Sequence, residues 1–252
     1  MTTMQRIVAA ETLDGLAEND PAAMRSRRDL QRIHRLMGTR GIMTRALQGL
    51  AASRPAAGPL RLLELGAGDG SLMLGVAGRL AAQWPAVEIT LLDRQDLVTP
   101  ATVDAYACLG WTASTQVADV FDWASRHAPA GREPGARWDV IVASLFLHHF
   151  EGQALATLLA AIESRARRFF ACEPRRAWLA LAGSHLVGAV GANAVTRQDA
   201  VLSVHAGFQG KELGVMWPGH GAFWTVREYP AGLFSHCFFA ERSGLAGAAA
   251  LP

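Results

Sequence analysis

The sequence predicts an α/β fold built on a doubly wound, mostly parallel sheet of seven strands. From Leu60 onward, apolar runs alternate with helix-like stretches, which is typical of parallel strands joined by crossover helices. A glycine-rich turn at 66–70 follows the first apolar run. Near the C-terminus, two strand-like runs flank a Pro- and Gly-containing segment, so the sheet is expected to end in an antiparallel hairpin.

Each buried strand is predicted from a short apolar run that polar or turn residues bound on both sides. The five parallel strands are predicted at 61–65, 87–92, 113–117, 138–143 and 168–172, and the hairpin strands at 222–227 and 233–240. An amphipathic stretch at 71–83 predicts the helix that follows the glycine turn.

The chain divides into three predicted regions. Residues 1–55 are expected to be helical: Asp20 and Pro21 form a helix start signal, and Gly38 ends the stretch. A Pro-, Gly- and Ala-rich linker at 53–59 leads into the main domain at 56–242, and residues 243–252 are expected to form a loose tail.

Composition limits the class of protein. Half of the 252 residues are hydrophobic and 18% are charged, which allows a large core. A net charge of +2 without a block of like charges argues against nucleic-acid binding. The three cysteines are far apart and form no C-x-x-C pair, so neither a disulfide framework nor a zinc site is indicated. Without a signal pattern or a long apolar run, we expect a cytoplasmic protein that does not insert into membranes.

The glycine turn is the strongest functional motif. An acidic residue, Glu64, ends an apolar run, and Gly66, Gly68 and Gly70 follow at every second position. Such a turn lets a nucleotide approach the backbone and the start of the next helix. The dinucleotide pattern G-x-G-x-x-G would require Gly or Ala where this chain has Ser71. Taken alone, the turn leaves an S-adenosylmethionine site, a dinucleotide site and a ligand-free turn open.

Two further acids follow predicted strands, at the sheet edge where ligands bind in doubly wound folds. Asp93 ends the second strand and is placed to accept hydrogen bonds from ribose hydroxyls, in either kind of nucleotide. Asp119 follows the third strand and precedes Val120, a pairing suited to the amine and the ring face of an adenine. The alternatives are a solvated or capping role for Asp93 and a helix cap for Asp119.

The chain resembles the class I S-adenosylmethionine-dependent methyltransferases in the order and spacing of four features. These are the glycine turn, Asp93, Asp119 and the fourth predicted strand, which leads into Ser144. The resemblance implies a Rossmann-like sheet with a C-terminal antiparallel hairpin, an N-terminal helical lid at 1–55 that covers the acceptor, and S-adenosylmethionine as the cofactor. The cofactor-binding residues that it implies are Glu64, Gly66, Ala67, Gly68, Gly70, Asp93, Arg94, Asp119, Val120 and Ser144.

Three other segments narrow the kind of methyltransferase that the chain resembles. The run Leu147–Phe150 looks like that of small-molecule and quinone methyltransferases. Segments 172–176 and 196–208 resemble bacterial methyltransferases that accompany polyketide synthases and flavin monooxygenases. The acceptor implied is a small phenol, polyketide or quinol, methylated on oxygen. No metal is expected, because Leu145 and His148 stand where some ubiquinone-pathway relatives have metal-binding carboxylates.

A phenol has a pKa near ~10, so its methylation benefits from a base, and histidine suits that role at neutral pH. His148 and His149 are the candidates, and His149 matches the commoner family histidine; packing or capping roles are the alternative. Four more residues, Glu173, Arg175, Arg197 and Asp199, are candidates for the acceptor site. For Arg197 and Asp199 a structural ion pair is the alternative.

Other functions remain open at this stage. Methylation of carbon or nitrogen would look almost the same in sequence. An NAD-dependent oxidoreductase shares the glycine turn and Asp93, but Ser71, Glu64 and the hairpin argue against it. A non-catalytic protein of the same fold that binds a partner is the third possibility.

Overall fold

The computed structural model describes residues 4–49, 58–84, 86–126, 138–219, 221 and 223–243. Seven strands form one sheet. They are Leu60–Leu65 (β1), Val87–Asp93 (β2), Trp111–Val117 (β3), Val140–Ser144 (β4), Arg168–Pro174 (β5), Trp224–Ala231 (β6) and Ser235–Arg242 (β7). The predicted linker lies mostly, and the predicted tail almost entirely, outside these residues.

The strand order is β3-β2-β1-β4-β5-β7-β6. The first five strands pair in parallel, and β7 lies antiparallel between β5 and β6. This confirms the predicted doubly wound sheet with its C-terminal hairpin. Successive strands are added on one side of β1 up to β3 and on its other side from β4 onward, so the carboxyl ends of β1 and β4 face a crevice suited to a ligand.

Ten helices surround the sheet within the described ranges. They are Thr12–Gly15 (α1), Pro21–Met37 (α2), Thr39–Gln48 (α3), Ser71–Leu80 (α4), Pro100–Cys108 (α5), Val120–Ser125 (α6), Gly152–Arg165 (α7), Trp178–His185 (α8), Ala194–Ala206 (α9) and Glu212–Met216 (α10).

Successive residues of β1 belong to different cores. Leu62 packs with residues of α3, α4 and α5, whereas Leu63 packs with residues of α6, α7 and α10. Adjacent side chains of a strand point to opposite faces, so helices cover the sheet on both sides. No helix in the part of the chain that the structure describes combines the length and apolar character needed to cross a membrane.

The N-terminal helices begin and end where the local signals predict. Asp20 accepts hydrogen bonds from the backbone N–H groups of Ala22 and Ala23 and so caps α2. Gly38 ends α2 in the left-handed conformation, with φ of 69°. The short helix α1 was not predicted as a separate element, and it lies against α9.

Candidate active site

A cavity of about 760 Å³ lies at the carboxyl ends of the strands, under α1 and α2. The sequence-predicted residues that line it are Glu64, Gly66, Ala67, Gly68, Asp93, Arg94, Asp119, Val120, Ser144, His148 and His149. Gly70 is buried beneath the cavity wall instead, where its carbonyl accepts a hydrogen bond from the Tyr106 hydroxyl. Eleven of the twelve predicted residues therefore meet at one place.

The glycine turn has a backbone that only glycine adopts easily. Gly66, Gly68 and Gly70 have φ values of 67°, 56° and 74°. A Cβ atom on Gly66 would lie 2.3 Å from Cδ2 of Phe146, well inside van der Waals contact. The glycines thus allow both the turn and the close approach of Phe146.

Glu64 is the most unusual residue of the cavity. Its side chain is buried, and its Oε2 atom finds no hydrogen-bond partner among the described residues. Burial raises the pKa of Glu64 well above its ordinary value, and the nearby charges of Asp69 and Asp93 raise it further. A buried carboxyl group without a partner is costly, so this position is suited to a cationic ligand.

Asp93 ties the end of β2 to the glycine turn. Its Oδ2 accepts a hydrogen bond from the Gly68 backbone N–H at 2.8 Å, and its Oδ1 accepts one from that of Gln95 at 3.0 Å. Carboxylate oxygens accept more than one hydrogen bond each, so Asp93 keeps capacity for ribose hydroxyls.

Asp119 has the capping role that the sequence left open. Its Oδ1 accepts a hydrogen bond from the Phe121 backbone N–H at 2.7 Å at the start of α6, and its side chain also lines the cavity. Ser144, at the end of β4, is buried, and its hydroxyl has no hydrogen-bond partner within the ranges that the structure describes.

Both candidate histidines lie in a 3-10 turn, Leu147–His149, that follows β4. Glu173 of β5 is fully buried and holds this turn: its carboxylate accepts backbone hydrogen bonds from Phe146, Leu147 and His148 at 3.0–3.3 Å. Glu173 is a candidate residue of the acceptor site in the sequence, and in the structure its hydrogen bonds go to this turn.

His148 lies between two carboxylates. Its Nδ1 is 2.9 Å from Oε2 of Glu173, and its Nε2 is 3.2 Å from Oε1 of Glu11. Burial lowers the pKa of His148, but the hydrogen bonds and charges of Glu11 and Glu173 outweigh burial and raise this pKa to about 9. His148 is therefore an imidazolium at neutral pH, with both ring nitrogens engaged.

His149 has the opposite character. Burial lowers its pKa, and the adjacent positive charge of His148 lowers it further. Its side chain is 22% exposed at the cavity, and its Nδ1 lies 3.2 Å from Oδ2 of Asp14. At neutral pH this ring is uncharged, the form in which a histidine accepts a proton.

Several residues of the cavity were missed from the sequence. Glu11 and Asp14 come from the N-terminal segment, and Gln31 of α2 donates a hydrogen bond to Asp69 at 2.6 Å.

Asp199 forms no ion pair with Arg197 in the structure, contrary to one expectation. Instead, it accepts hydrogen bonds from the backbone N–H groups at the start of α1. No local motif signals these contacts, because their partners are distant in sequence.

One set of side chains has the composition of a metal site. Donor atoms of Glu11, His148 and His149 lie within 4.8 Å of one another. A metal ion would have to displace the proton of His148, whose two nitrogens already contact Glu11 and Glu173. We therefore assign no metal to this cluster.

A second cavity, of about 310 Å³, adjoins the first and is lined almost entirely by apolar side chains. Leu145 and Ser203 line both cavities. Leu145 has a left-handed backbone with φ of 51°, the one such value at a non-glycine residue in the described part of the chain. The apolar walls come from α2, α8, α9 and the 3-10 turn Val187–Val190.

The sequence matches no protein-family model, and it matches no curated protein. Solved structures do resemble it. The plantazolicin methyltransferase BpumL, in complex with SAH, has a TM-score of 0.60 at 12% identity over 88% of this chain and 91% of its own. The related BamL has a TM-score of 0.61 at 11% identity, over 91% of this chain and 93% of that one.

The mitomycin 7-O-methyltransferase MmcR has a TM-score of 0.50 at 18% identity, over 92% of this chain and 60% of that one. These likenesses establish the fold: the chain has the Rossmann-like architecture of the class I methyltransferases.

Proposed function

We propose that the protein is an S-adenosylmethionine-dependent methyltransferase. The observation that supports this proposal most strongly is the buried carboxyl group of Glu64, near Asp69 and Asp93. Its Oε2 atom has no hydrogen-bond partner among the described residues. S-adenosylmethionine brings an ammonium and a sulfonium to such a site. The pyrophosphate of a dinucleotide would instead meet three acidic residues, so this pocket favours the cationic cofactor over NAD.

The residues of the larger cavity fit this cofactor part by part. Glu64 would hold the ammonium, Asp93 the ribose hydroxyls, and Asp119 with Val120 the adenine. The backbone of residues 66–70, which includes Ala67, would lie along the nucleoside. Arg94 and Ser144 would line the remaining part of the cofactor pocket. When bound, S-adenosylmethionine supplies a methyl group on a positively charged sulfur, which keeps the carbon–sulfur electron pair as the acceptor takes the methyl.

The smaller cavity is proposed to hold the body of the acceptor, and its reacting hydroxyl would extend past Leu145 and Ser203, which line both cavities, to reach His149 in the larger cavity. Its walls are apolar, and its two acidic residues already have partners, because Glu11 contacts His148 and Asp199 accepts hydrogen bonds from α1. Its walls suit an uncharged, largely apolar molecule. A small phenol, polyketide or quinol fits this description, and a base that removes the hydroxyl proton of such an acceptor favours methylation on oxygen.

His149, rather than His148, is proposed as that base. His148 is already protonated at neutral pH and buried between two carboxylates. His149 is uncharged and faces the cavity that holds the predicted cofactor residues. The protein's remaining task is to align the acceptor oxygen with the methyl group and to exclude water.

Calorimetry with S-adenosylmethionine, S-adenosylhomocysteine and NADH tests the cofactor. We expect the first two to bind and NADH not to bind. Glu64→Gln should weaken binding of S-adenosylmethionine about tenfold or more, because a charged hydrogen bond contributes ~1.5–3 kcal/mol. Glu88→Gln, at an exposed position of β2, serves as the matched control and should have no effect. Binding of NADH alone would overturn the proposal.

The affinity for S-adenosylmethionine should also depend on pH. Burial, then the charges of Asp69 and Asp93, raise the pKa of Glu64, so binding of a cation should release a proton and strengthen as the pH rises. A panel of phenols, quinols and amines, with release of S-adenosylhomocysteine as the signal, then identifies the acceptor, and the NMR spectrum of the product shows whether oxygen, nitrogen or carbon carries the methyl group.

A further inference from the structure

Asp14 contacts the proposed base from outside the sheet domain. Its Oδ2 lies 3.2 Å from Nδ1 of His149, and both side chains line the larger cavity. We propose that Asp14 is the positioning residue of an Asp14–His149 pair, in which the N-terminal segment orients the base of the methyl-transfer site. This inference rests on the proposed function and adds to it a residue that comes from a different region of the chain.

The position of Asp14 is fixed by contacts that α1 makes with α9. The backbone N–H groups of Thr12 and Leu13 donate hydrogen bonds to the buried carboxylate of Asp199, at 2.8 and 2.9 Å. Glu11, at the start of the same helix, accepts a hydrogen bond from the Ser203 hydroxyl. These contacts hold the four-residue helix in place although it is too short to be stable alone.

Arg94 holds the other side of the Asp14 carboxylate. Its guanidinium lies 3.2 Å from Oδ1 of Asp14, and it also donates to the Asp14 backbone carbonyl. Both side chains are nearly half exposed, so this pair contributes little to stability. Its effect is on geometry: with Oδ1 turned to Arg94, Oδ2 is the oxygen that meets His149.

The contact selects the useful tautomer of His149. A carboxylate beside Nδ1 favours the form that carries its proton on Nδ1, which leaves the lone pair of Nε2 free. The acceptor O–H bond then breaks, its proton passes to Nε2, and the electron pair stays on the oxygen that attacks the methyl carbon. The charge that His149 gains is offset by Asp14, as in other carboxylate–histidine pairs.

Four charged groups act on His149, and they come from three parts of the chain. His148, its neighbour in the 3-10 turn, disfavours the protonated ring; Glu11 and Asp14 of the N-terminal segment and Glu173 of β5 favour it. Removal of the Asp14 charge should therefore lower the pKa of His149 further and misorient its ring.

The test compares Asp14→Asn with Glu18→Gln. Glu18 is a matched carboxylate of the same segment that accepts a hydrogen bond from the Asp96 backbone N–H and does not touch His149. We expect Asp14→Asn to lower kcat about tenfold or more, and to move the acidic limb of the kcat–pH profile to lower pH. The affinity for S-adenosylhomocysteine should stay within about threefold, and Glu18→Gln should change none of these.

A titration of the His149 ring by NMR, assigned through His149→Asn, gives a second readout that needs no turnover. The pKa of His149 should be lower in Asp14→Asn than in the wild type. An unchanged His149 pKa together with an unchanged acidic limb would overturn the pair while leaving cofactor binding intact. If the wild type fails to bind S-adenosylhomocysteine, the proposed function itself is wrong, and the titration still decides whether Asp14 acts on His149.

Discussion

The imidazole of His148 lies 2.9 Å from the carboxylate of Glu173, and both side chains are buried. Glu173 also accepts the backbone N–H groups that open the 3-10 turn. One buried carboxylate thus fixes both the charge of His148 and the path of the backbone that presents His149. The contact between Glu173 and His148 connects the buried strand β5 with a residue that lines the larger cavity.

Replacement of Glu173 should be strongly destabilising. Glu173→Gln leaves the His148 cation with Glu11 as its remaining carboxylate, and loss of one partner of a buried ion pair typically costs about 3–5 kcal/mol. Urea unfolding at neutral pH measures the free energy of unfolding, with the exposed-site variant Glu88→Gln as the control. A Glu173→Gln protein as stable as the control would show that the pair does not hold the turn.

Alkaline pH should weaken the folded state through the same pair. The pKa of His148 is about 9 in the folded protein and near 6.5 in an unfolded chain, so the folded state binds this proton more tightly. The contribution, about 3 kcal/mol, is fully present below pH 6.5 and is lost as the pH rises through about 9.

Urea denaturation from pH 6 to pH 10 follows this loss. Glu173→Gln should show a smaller decrease over the same range, since one of the two carboxylates that raise the pKa of His148 is gone. A wild-type stability that stays level up to pH 10 would contradict the assignment of a charged His148.

Substitutions at Gly66 can distinguish the backbone strain of the glycine turn from a steric clash with Phe146. Gly66→Ala places a Cβ atom 2.3 Å from Phe146 in a residue with φ of 67°. Gly232→Ala has nearly the same φ, 66°, but its Cβ meets no atom within 4 Å among the described residues. The control should lose about 1–2 kcal/mol from backbone strain, and Gly66→Ala should lose more and fail to bind S-adenosylhomocysteine.

A second substitution makes the collision measurable. Adding Phe146→Ala to Gly66→Ala removes the ring, so the double variant should lose less stability than the two single changes added together. Equal losses in Gly66→Ala and Gly232→Ala would mean that Phe146 moves aside without cost.

The sheet and the side of the larger cavity that holds the glycine turn could be predicted from sequence because their signals are local. An apolar run followed by Glu64 and three glycines specifies a strand and a turn within nine residues, and Asp93 directly ends a buried strand. The strand boundaries differ from the predicted ones by a few residues. The fourth strand, for example, begins at Val140 rather than at Trp138, and Trp138 forms an isolated β-bridge with Ala166.

The residues that the N-terminal segment brings to the cavity could not be predicted in the same way. Glu11 and Asp14 precede and occupy a four-residue helix, too short for a periodic pattern, and reach the histidines across more than 130 residues. Only the packing of α1 on α9 places them at the site. The ionisation states of His148 and His149 also depend on this packing, so that of two adjacent histidines one is an imidazolium and the other is uncharged at neutral pH.

Leu145 is one of the residues that line both cavities, and its backbone occupies the left-handed region, which costs a branched residue conformational energy. Glycine would relieve that energy but would remove the side chain from the place where the proposed donor and acceptor sites meet. Selection for heat resistance and selection for turnover would therefore push this one position in opposite directions.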